Sequence, residues 1–328
     1  MKQIPVGRSG VTISAIGLGG AWGREIDEES SQKVLDHAFE NGFRFFDTAE
    51  GPDKGSMESI LGRWMHSRGV RDQITLSTKI SQPVNGTYPW DWGRGTSQNI
   101  ARALEGSLER LFTDHVDIYK MHCPDEGTHI AETLEAFTEH VNAGRVRAVG
   151  CSNYTSHQLK EALDASAAGG FSRFEITQPP YSLARPRPGM LHQTREKVEE
   201  DLLPLCMDEE IAVTPYSPLG AGFLSGKFTR EMATDQSKMV PGTRMDVAPG
   251  HVPIYFTERN FRIVDRLRSK ADELGTPMAV LALAFAMTHP AVTAVIVGAR
   301  RQEQIDQALE AYRMGLDPDL RQEMDSWG

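Results

Sequence analysis

Asp47, Lys79 and His122 are the residues of this chain whose types and positions best suit chemistry. Each ends a short apolar run: Phe43-Arg44-Phe45-Phe46 before Asp47, Ile74-Thr75-Leu76-Ser77-Thr78 before Lys79, and Val116-Asp117-Ile118-Tyr119-Lys120-Met121 before His122. Further polar or small groups close other runs, at Ser152-Asn153, Gln178, Tyr216-Ser217 and Gly298-Ala299-Arg300. Taken singly, each has a plain account: Asp47 caps a turn, Lys79 caps a strand end in solvent, His122 is a satisfied half-buried histidine. Converging from separate strands on one mouth, they make a site. A lysine beside a carboxylate forms a polarised pair that holds an oxygen or tunes a proton donor. A histidine in hydrogen-bond reach orients a carbonyl oxygen where negative charge develops. The chemistry is that of carbonyl oxidation and reduction. A metal site is disfavoured, because His122 has no second His or Cys at ligand spacing.

These groups meet only if the strands that carry them lie side by side. Residues 2–14 read as a small hairpin, Gln3-Ile4-Pro5-Val6 and Val11-Thr12-Ile13-Ser14, turned by Gly7 to Gly10. Ala15-Ile16-Gly17-Leu18-Gly19-Gly20 is a first short strand, followed by helix signals over 29–41 with Gly42 past their end. The Phe43–Phe46 strand leads through a Gly-rich loop to a helix opened by Ser56. The pattern then repeats: strand 74–79, a long loop and helix 97–112; strand 116–122 and helix 129–143; strand 146–150 and helix 156–167; strand 174–178 and helix 194–208; strand 211–216 and helical segments 258–274 and 277–288; strand 293–297 and helix 302–313. Eight strand-then-helix units predict a parallel sheet closed into a (β/α)8 TIM barrel, α/β in class, with a short N-terminal β-hairpin. An open doubly wound sheet lacks its usual sign, a G-x-G-x-x-G opening a helix after the first strand. No composition break marks a second domain, so residues 1–328 are expected to form one. Two loops are long: 80–96, with Tyr88, Trp90 and Trp92, and 225–257, rich in Gly, Pro and Met. The former offers substrate walls or loop packing, and the methionines of the latter (Met232, Met239, Met245) suit gap filling.

The bulk properties restrict the function further. The chain has 328 residues, 39% of them hydrophobic, and a formal net charge of -10. With no basic run or patch, nucleic acid is not an expected partner. The longest apolar run, Met278 to Met287, is too short to span a bilayer, and Met1-Lys2-Gln3-Ile4-Pro5 is no signal peptide. Cys123, Cys151 and Cys206 are odd in number and scattered, which argues against a disulfide framework. A reduced, cytoplasmic enzyme is the expectation.

Along nearly its whole length the chain resembles the aldo-keto reductases. The match runs through GRSGVTISAIGLGG, FDTAEGPDKGSMESILG, LSTK, VDIYKMH, VRAVGCSN, TPYSPLGAGFLSGKF and VIVGARRQEQI, in that order. The resemblance implies a (β/α)8 barrel that binds NADP(H), or in some members NAD(H), without a Rossmann fold. It implies hydride transfer between nicotinamide and a small-molecule aldehyde, ketone or alcohol. Asp47, Lys79 and His122 fall on the family's catalytic Asp, Lys and His. Ser152, Asn153 and Gln178 fall on the groups that hold the nicotinamide carboxamide, and Tyr216 on the ring that stacks on nicotinamide. Ser217, Leu219, Gly220, Gly222 and Leu224 fall on the loop around the pyrophosphate, and Gly20 and Ala21 on cofactor-binding positions after the first strand. Gly298, Ala299, Arg300 and Gln304 fall on the segment around the adenosine 2′-phosphate and adenine. Arg300 and Arg301 at a helix start suit an anionic phosphate, which favours NADP(H) over NAD(H).

One departure bears on the mechanism. The family's fourth catalytic residue is a tyrosine five positions after the aspartate; here that position is Pro52, and Glu58 and Gly62 keep their register. Proline has no proton to donate. An adenine-side asparagine is also replaced, by Ala308. Three readings follow: an oxidoreductase with a substituted acid (His122, Lys79, a water held by Asp47 and Lys79, or Tyr88); an NADP(H)-binding regulatory module or pseudoenzyme; and an elimination or epimerisation using nicotinamide transiently. Glu50, Asp53 and Lys54 flank the site in sequence and suit a polar, sugar-like substrate.

Overall fold

Successive side chains along each short run point to opposite faces, one into a lumen and the other towards covering helices, so both faces are buried, and that alternation of direction builds the barrel. The computed structural model describes residues 1–20, 22, 26–51, 55–80, 94–191 and 193–328. Ala21, Pro52, Asp53, Lys54 and the aromatics Tyr88, Trp90 and Trp92 lie outside the described residues. Strands β1 (Gln3–Pro5) and β2 (Thr12–Ser14) pair antiparallel, with Ile4 opposite Ile13. The turn between them passes through Gly7 and Gly10, both at positive φ. Eight parallel strands follow: β3 (Ile16–Gly19), β4 (Phe45–Asp47), β5 (Thr75–Ile80), β6 (Val116–Met121), β7 (Val146–Ser152), β8 (Phe174–Gln178), β9 (Ala212–Val213) and β10 (Val295–Gly298). Their order in the sheet is β10-β3-β4-β5-β6-β7-β8-β9. Backbone N–H groups of Thr293 and Ile296 donate to the carbonyls of Val213 and Pro215, at 2.8 and 3.0 Å, and so join the last strand to β9. The ring is closed, as a (β/α)8 barrel requires.

The inner face carries Phe45, Ile118, Ala148, Ile176, Ala212 and Ile296, which form one buried cluster with Val6, Val11 and Ile13 of the hairpin. The hairpin therefore plugs the amino-terminal end of the lumen and leaves the carboxyl ends of the strands as the mouth. The outer face, with Phe46, Leu76, Tyr119, Val149 and Val213, packs against the helices in the larger core. Burial of one such large side chain contributes roughly 1.5–3 kcal/mol.

Helices α1 (Glu28–Glu40), α2 (Ser56–Arg68), α3 (Ser97–Leu111), α4 (Ile130–Asn142) and α5 (Ser156–Gly169) follow their strands with local stop and start signals. Asp27, Thr96 and Thr155 cap α1, α3 and α5 by side-chain oxygens that accept from Ser30, Asn99 and Gln158 N–H groups. The expected helix at 194–208 contains a π turn, Val198–Leu202, just before Pro204. Proline has no N–H to continue the regular ladder. The strand expected over 211–216 is regular only over Ala212–Val213 and is interrupted at Pro215, which cannot donate, though its carbonyl is used in closure; Tyr216 then resumes the pairing as an isolated parallel bridge to Pro180. The long 225–257 segment is a chain of short turns, such as Arg230–Ala233 and Arg244–Val247. Met239 and Met245 are buried in the main core, and Met232 packs against it. A final helix, Pro318–Asp325, has no counterpart in the sequence expectation.

Candidate active site

The inward faces of β4, β5, β6 and β8 bring their polar ends together at the mouth. Asp47 lies two residues beyond Phe45 and so points the same way into the lumen. Its Oδ2 accepts from Lys79 Nζ at 2.5 Å and from Gln178 Nε2 at 3.0 Å. Its Oδ1 accepts from Lys120 Nζ at 2.7 Å. Lys79 also donates to the carbonyl of Thr48 at 2.9 Å, and the Glu50 N–H donates to the Lys79 carbonyl, so the β4–β5 ladder extends past the strand ends. Lys79 is thus no solvent-facing strand cap: it is 5% exposed, Asp47 4% and Lys120 0%.

Burial pushes the Asp47 carboxyl up, but the ammoniums of Lys120 and Lys79 overcome this and hold it well below the usual carboxylate range. Burial pulls the Lys120 ammonium down to about 8, with Asp47 opposing and Lys79 reinforcing the shift. The carboxylate is ionised at neutral pH and accepts from three donors among the described residues.

Beside this group lies a second one built on the end of β7. Asn153 adopts a left-handed backbone (φ 64°). Its side-chain amide donates to the His122 carbonyl at 2.9 Å and to Ser152 Oγ at 3.2 Å, and its oxygen accepts from the Tyr216 hydroxyl at 2.9 Å. Ser152 Oγ donates to the Gln178 carbonyl at 2.7 Å. One connected network therefore runs from Tyr216 through Asn153, Ser152 and Gln178 to Asp47. His122 is half-buried at the end of β6. Gln178, expected on the carboxamide side, has its amide N–H committed to Asp47.

The loop after Tyr216 turns tightly. Ser217, Gly220, Ala221 and Gly222 all have positive φ, between 54° and 88°. Leu224 is buried beneath it, and the Lys227 ammonium lies 3.6 Å from where a Cβ on Gly222 would sit. A Cβ on Gly298 would meet nothing within 4 Å, so the backbone there is open to close approach. Arg300 donates its backbone N–H to Gln304 Oε1 at 2.8 Å and its guanidinium to the Gly242 carbonyl. Arg301, capping the helix Gln302–Met314, is largely exposed. Ala299 and Ala308 are buried, and Gly20 is exposed at the end of β3.

Glu50 is a correction. It does not present a polar flank to substrate: it is fully buried, with Oε1 at 3.3 Å from Arg102 and 3.8 Å from Arg110 of α3. A carboxylate without exposure needs cations, and α3 supplies them. The sequence reading also passed over Lys120. A signal was available: it shares the inward face of β6 with Ile118 and His122, and a lysine between apolar residues on a buried strand demands a partner. Cys123, Cys151 and Cys206 are buried free thiols. Among the described residues there is no cluster of His, Cys, Asp and Glu fit for a metal, and no helix long and apolar enough to cross a membrane.

The comparison that decides the family is the sequence pattern of the Aldo/keto reductase family, which matches residues 15–327. The chain belongs to the aldo-keto reductases. It is 32% identical over 328 residues to the Bacillus subtilis protein named uncharacterized oxidoreductase YrpG, covering 98% of this chain and 94% of that one. It is 31% identical to an Arabidopsis thaliana protein named probable voltage-gated potassium channel subunit beta, over 95% of this chain and 91% of that one. It is 29% identical to the L-glyceraldehyde 3-phosphate reductase of Escherichia coli O157:H7, over 93% and 86% respectively. This aldo-keto reductase is an oxidoreductase by membership, in a family that uses NAD(P)H and acts on small-molecule carbonyl compounds.

Proposed function

We propose that the protein is an NADP(H)-dependent reductase of aldehydes or ketones in which Lys79 takes over the proton donation usually made by a tyrosine. The observation that carries this reading is the Asp47 carboxylate, bonded at once to the Lys79 and Lys120 ammoniums at the open end of the barrel. The residues suit the cofactor. The positive-φ loop 217–222 with a cation beside it and the open backbone at Gly298 fit an extended phosphorylated ligand, and Arg300 stands near its far end. When bound, the dihydronicotinamide supplies a hydride to the carbonyl carbon.

The chain's own groups do the rest. The Tyr216 ring, tethered by its hydroxyl to Asn153, offers a flat apolar wall. His122 orients the carbonyl oxygen, and Lys79, with a little surface where Lys120 has none, faces it. As the carbon accepts hydride, the π electrons of the C=O bond move to oxygen, which takes a proton from the Lys79 ammonium. Asp47 keeps that ammonium in place, and solvent reloads it. Arg300 and Arg301 favour NADP(H) over NAD(H). The absence of a membrane-length helix among the described residues and the three buried free thiols support a cytoplasmic setting, and the chain as one domain over 1–328 accords with the family match.

A second reading, an NADP(H)-binding regulatory subunit, draws support from Pro52 and from the relative named as a potassium channel subunit. NADPH deuterated at C4, mixed with a panel of aldehydes, quinones and keto-sugars, separates the two. The reductase reading expects deuterium in the product alcohol, lost in Lys79→Met and His122→Ala. No transfer to any member of the panel, with NADPH shown to bind, would leave the regulatory reading standing.

A further inference from the structure

Asp47 Oδ2 carries two donors of different kinds, the Lys79 ammonium at 2.5 Å and the Gln178 amide at 3.0 Å. The orientation of that amide follows from chemistry: an ionised carboxylate only accepts, so Gln178 turns its N–H and not its oxygen to Asp47. The residue that makes this bond is held firmly. Gln178 is 2% exposed and ends β8. Pro179 follows it and keeps its backbone extended. Its carbonyl accepts from Ser152 Oγ at 2.7 Å and from the Asn153 N–H at 3.3 Å, so β7 fixes it from one side. Contact with a cofactor alone does not call for such an anchor; the bond acts on the pair that handles the proton. A carboxylate favours the charged form of the ammonium it holds and makes it a poorer acid. A second donor on the same oxygen draws electron density from it and loosens that hold, without adding charge.

We propose that Gln178 is a positioning residue for proton donation: it fixes the Asp47 carboxylate and shares Oδ2 with Lys79, so that Lys79 releases its proton to substrate more readily. This rests on the reductase reading above. In that step the Lys79 N–H bond breaks and the substrate oxygen gains the proton. The neutral amine is left beside a carboxylate still occupied by Gln178 and Lys120. The titratable groups around Asp47 and the two lysines, among the described residues, are His122 at the end of β6 and, on β7, Cys151, whose thiol burial pushes up to about 12. Gln178 differs from all of these in having no charge to lose, so it acts on Asp47 alike at every pH.

The test follows kcat against pH for wild type, Gln178→Met and Gln178→Glu in the reduction of 4-nitrobenzaldehyde by saturating NADPH, with NADPH affinity read separately by fluorescence titration. Gln178→Met removes the amide and keeps the length of the side chain. It is expected to lower kcat at pH 7 about tenfold. It is also expected to move the alkaline limb of kcat, where the lysines on Asp47 lose their protons, upward by roughly 0.7 pH unit, the equivalent of one ordinary hydrogen bond. Gln178→Glu is expected to lower kcat at pH 7 at least as much, but to recover towards the wild-type rate as pH falls to about 5. Asp47, held by two lysines, stays ionised, so the introduced carboxyl takes the proton and donates in the amide's place. Loss of packing alone would scale kcat in both variants and leave the limb where it is. If Gln178→Met does not fold, the ratio of Gln178→Glu to wild type between pH 5 and 7 carries the test. An alkaline limb at the wild-type pH in the variants, or a flat Gln178→Glu ratio, overturns the proposal and leaves the reductase reading intact, as does a loss confined to NADPH affinity. A wild-type protein that binds NADPH but reduces no carbonyl overturns both.

Discussion

Asn153 ties three elements to one side chain. A truncation to alanine would remove its bonds to His122, Ser152 and Tyr216 and leave a residue with a Cβ at φ 64°. Each lost bond is worth about 1 kcal/mol. Asn153→Ala is therefore expected to weaken NADPH binding by about tenfold or more while Tyr216→Phe, which breaks only one of these bonds, weakens it a few-fold. Fluorescence titration of both variants checks the order. Asn153→Gly separates backbone from side chain, because glycine accepts the left-handed conformation without strain. A Gly variant as weak as the Ala variant assigns the effect to the amide; a Gly variant as tight as wild type assigns it to backbone strain. The asparagine stood out in the sequence through the family motif, but its reach to Tyr216 was invisible there, because 63 residues separate the two.

At the scale of elements, the site depends on where β7 stops and α5 begins. Thr155 and Gln158 form a reciprocal capping box directly after Asn153 and Tyr154. The cap fixes the start of α5 and, with it, the turn that carries Asn153. Thr155→Ala is expected to cost about 1 kcal/mol of global stability in urea denaturation, and to raise hydrogen exchange locally at residues 153–158. An unchanged urea midpoint would mean that packing of Leu159 and Leu163 sets the helix start instead. Helix α3 makes a different contribution. Its Arg102 and Arg110 neutralise Glu50, and Arg110 also bonds Glu58 Oε2 at 2.7 Å. Glu50, after β4, and Glu58, in the first turn of α2, are thereby both held by α3. An acidic residue three positions after Asp47 reads in the sequence as part of the same site. Its pairing with α3 was settled by a crossover that no local pattern records.

For the whole molecule, the buried charges set a pH signature. The carboxyl of Asp47 is depressed by the two lysines, so its stabilisation is present above its ordinary value near 3.8 and is lost as pH falls below that. Lys120 behaves in the opposite sense. Its ammonium lies lower in the fold, at about 8, than its ordinary 10.5, so the unfolded chain binds that proton more tightly. Its burial therefore destabilises the fold in full below about 8, and the penalty is relieved as pH rises from there towards 10.5. Lys120→Met is thus expected to be at least as stable as wild type at pH 7 and to lose its advantage towards pH 10, as read from urea midpoints across that range. A variant markedly less stable than wild type at pH 7 would mean that the Asp47–Lys120 bond outweighs desolvation. Selection of a buried ammonium against its own cost agrees with a role in the site.

The sequence by itself pointed to the barrel, because eight apolar runs, each short and each followed by a helical period, bury their faces together as a parallel sheet covered by helices, and no G-x-G-x-x-G after the first strand supported an open one. It also placed Asp47, Lys79, His122, Asn153 and Gln178 at strand ends, where period-two alternation and chain direction leave little choice. Neighbouring strands in sequence are neighbours in the sheet, so these groups had to share one rim. The tertiary structure alone decided which of them bond. Whether Gln178 turns its amide to a cofactor or to Asp47, whether Glu50 faces the mouth or α3, and whether Lys120 is a solvated strand residue or a second buried cation depend on distances across the lumen. Those distances follow from strand tilt, closure between β9 and β10, and the hairpin plug beneath. They arise from contacts far apart in the chain, and a linear pattern carries no information about them.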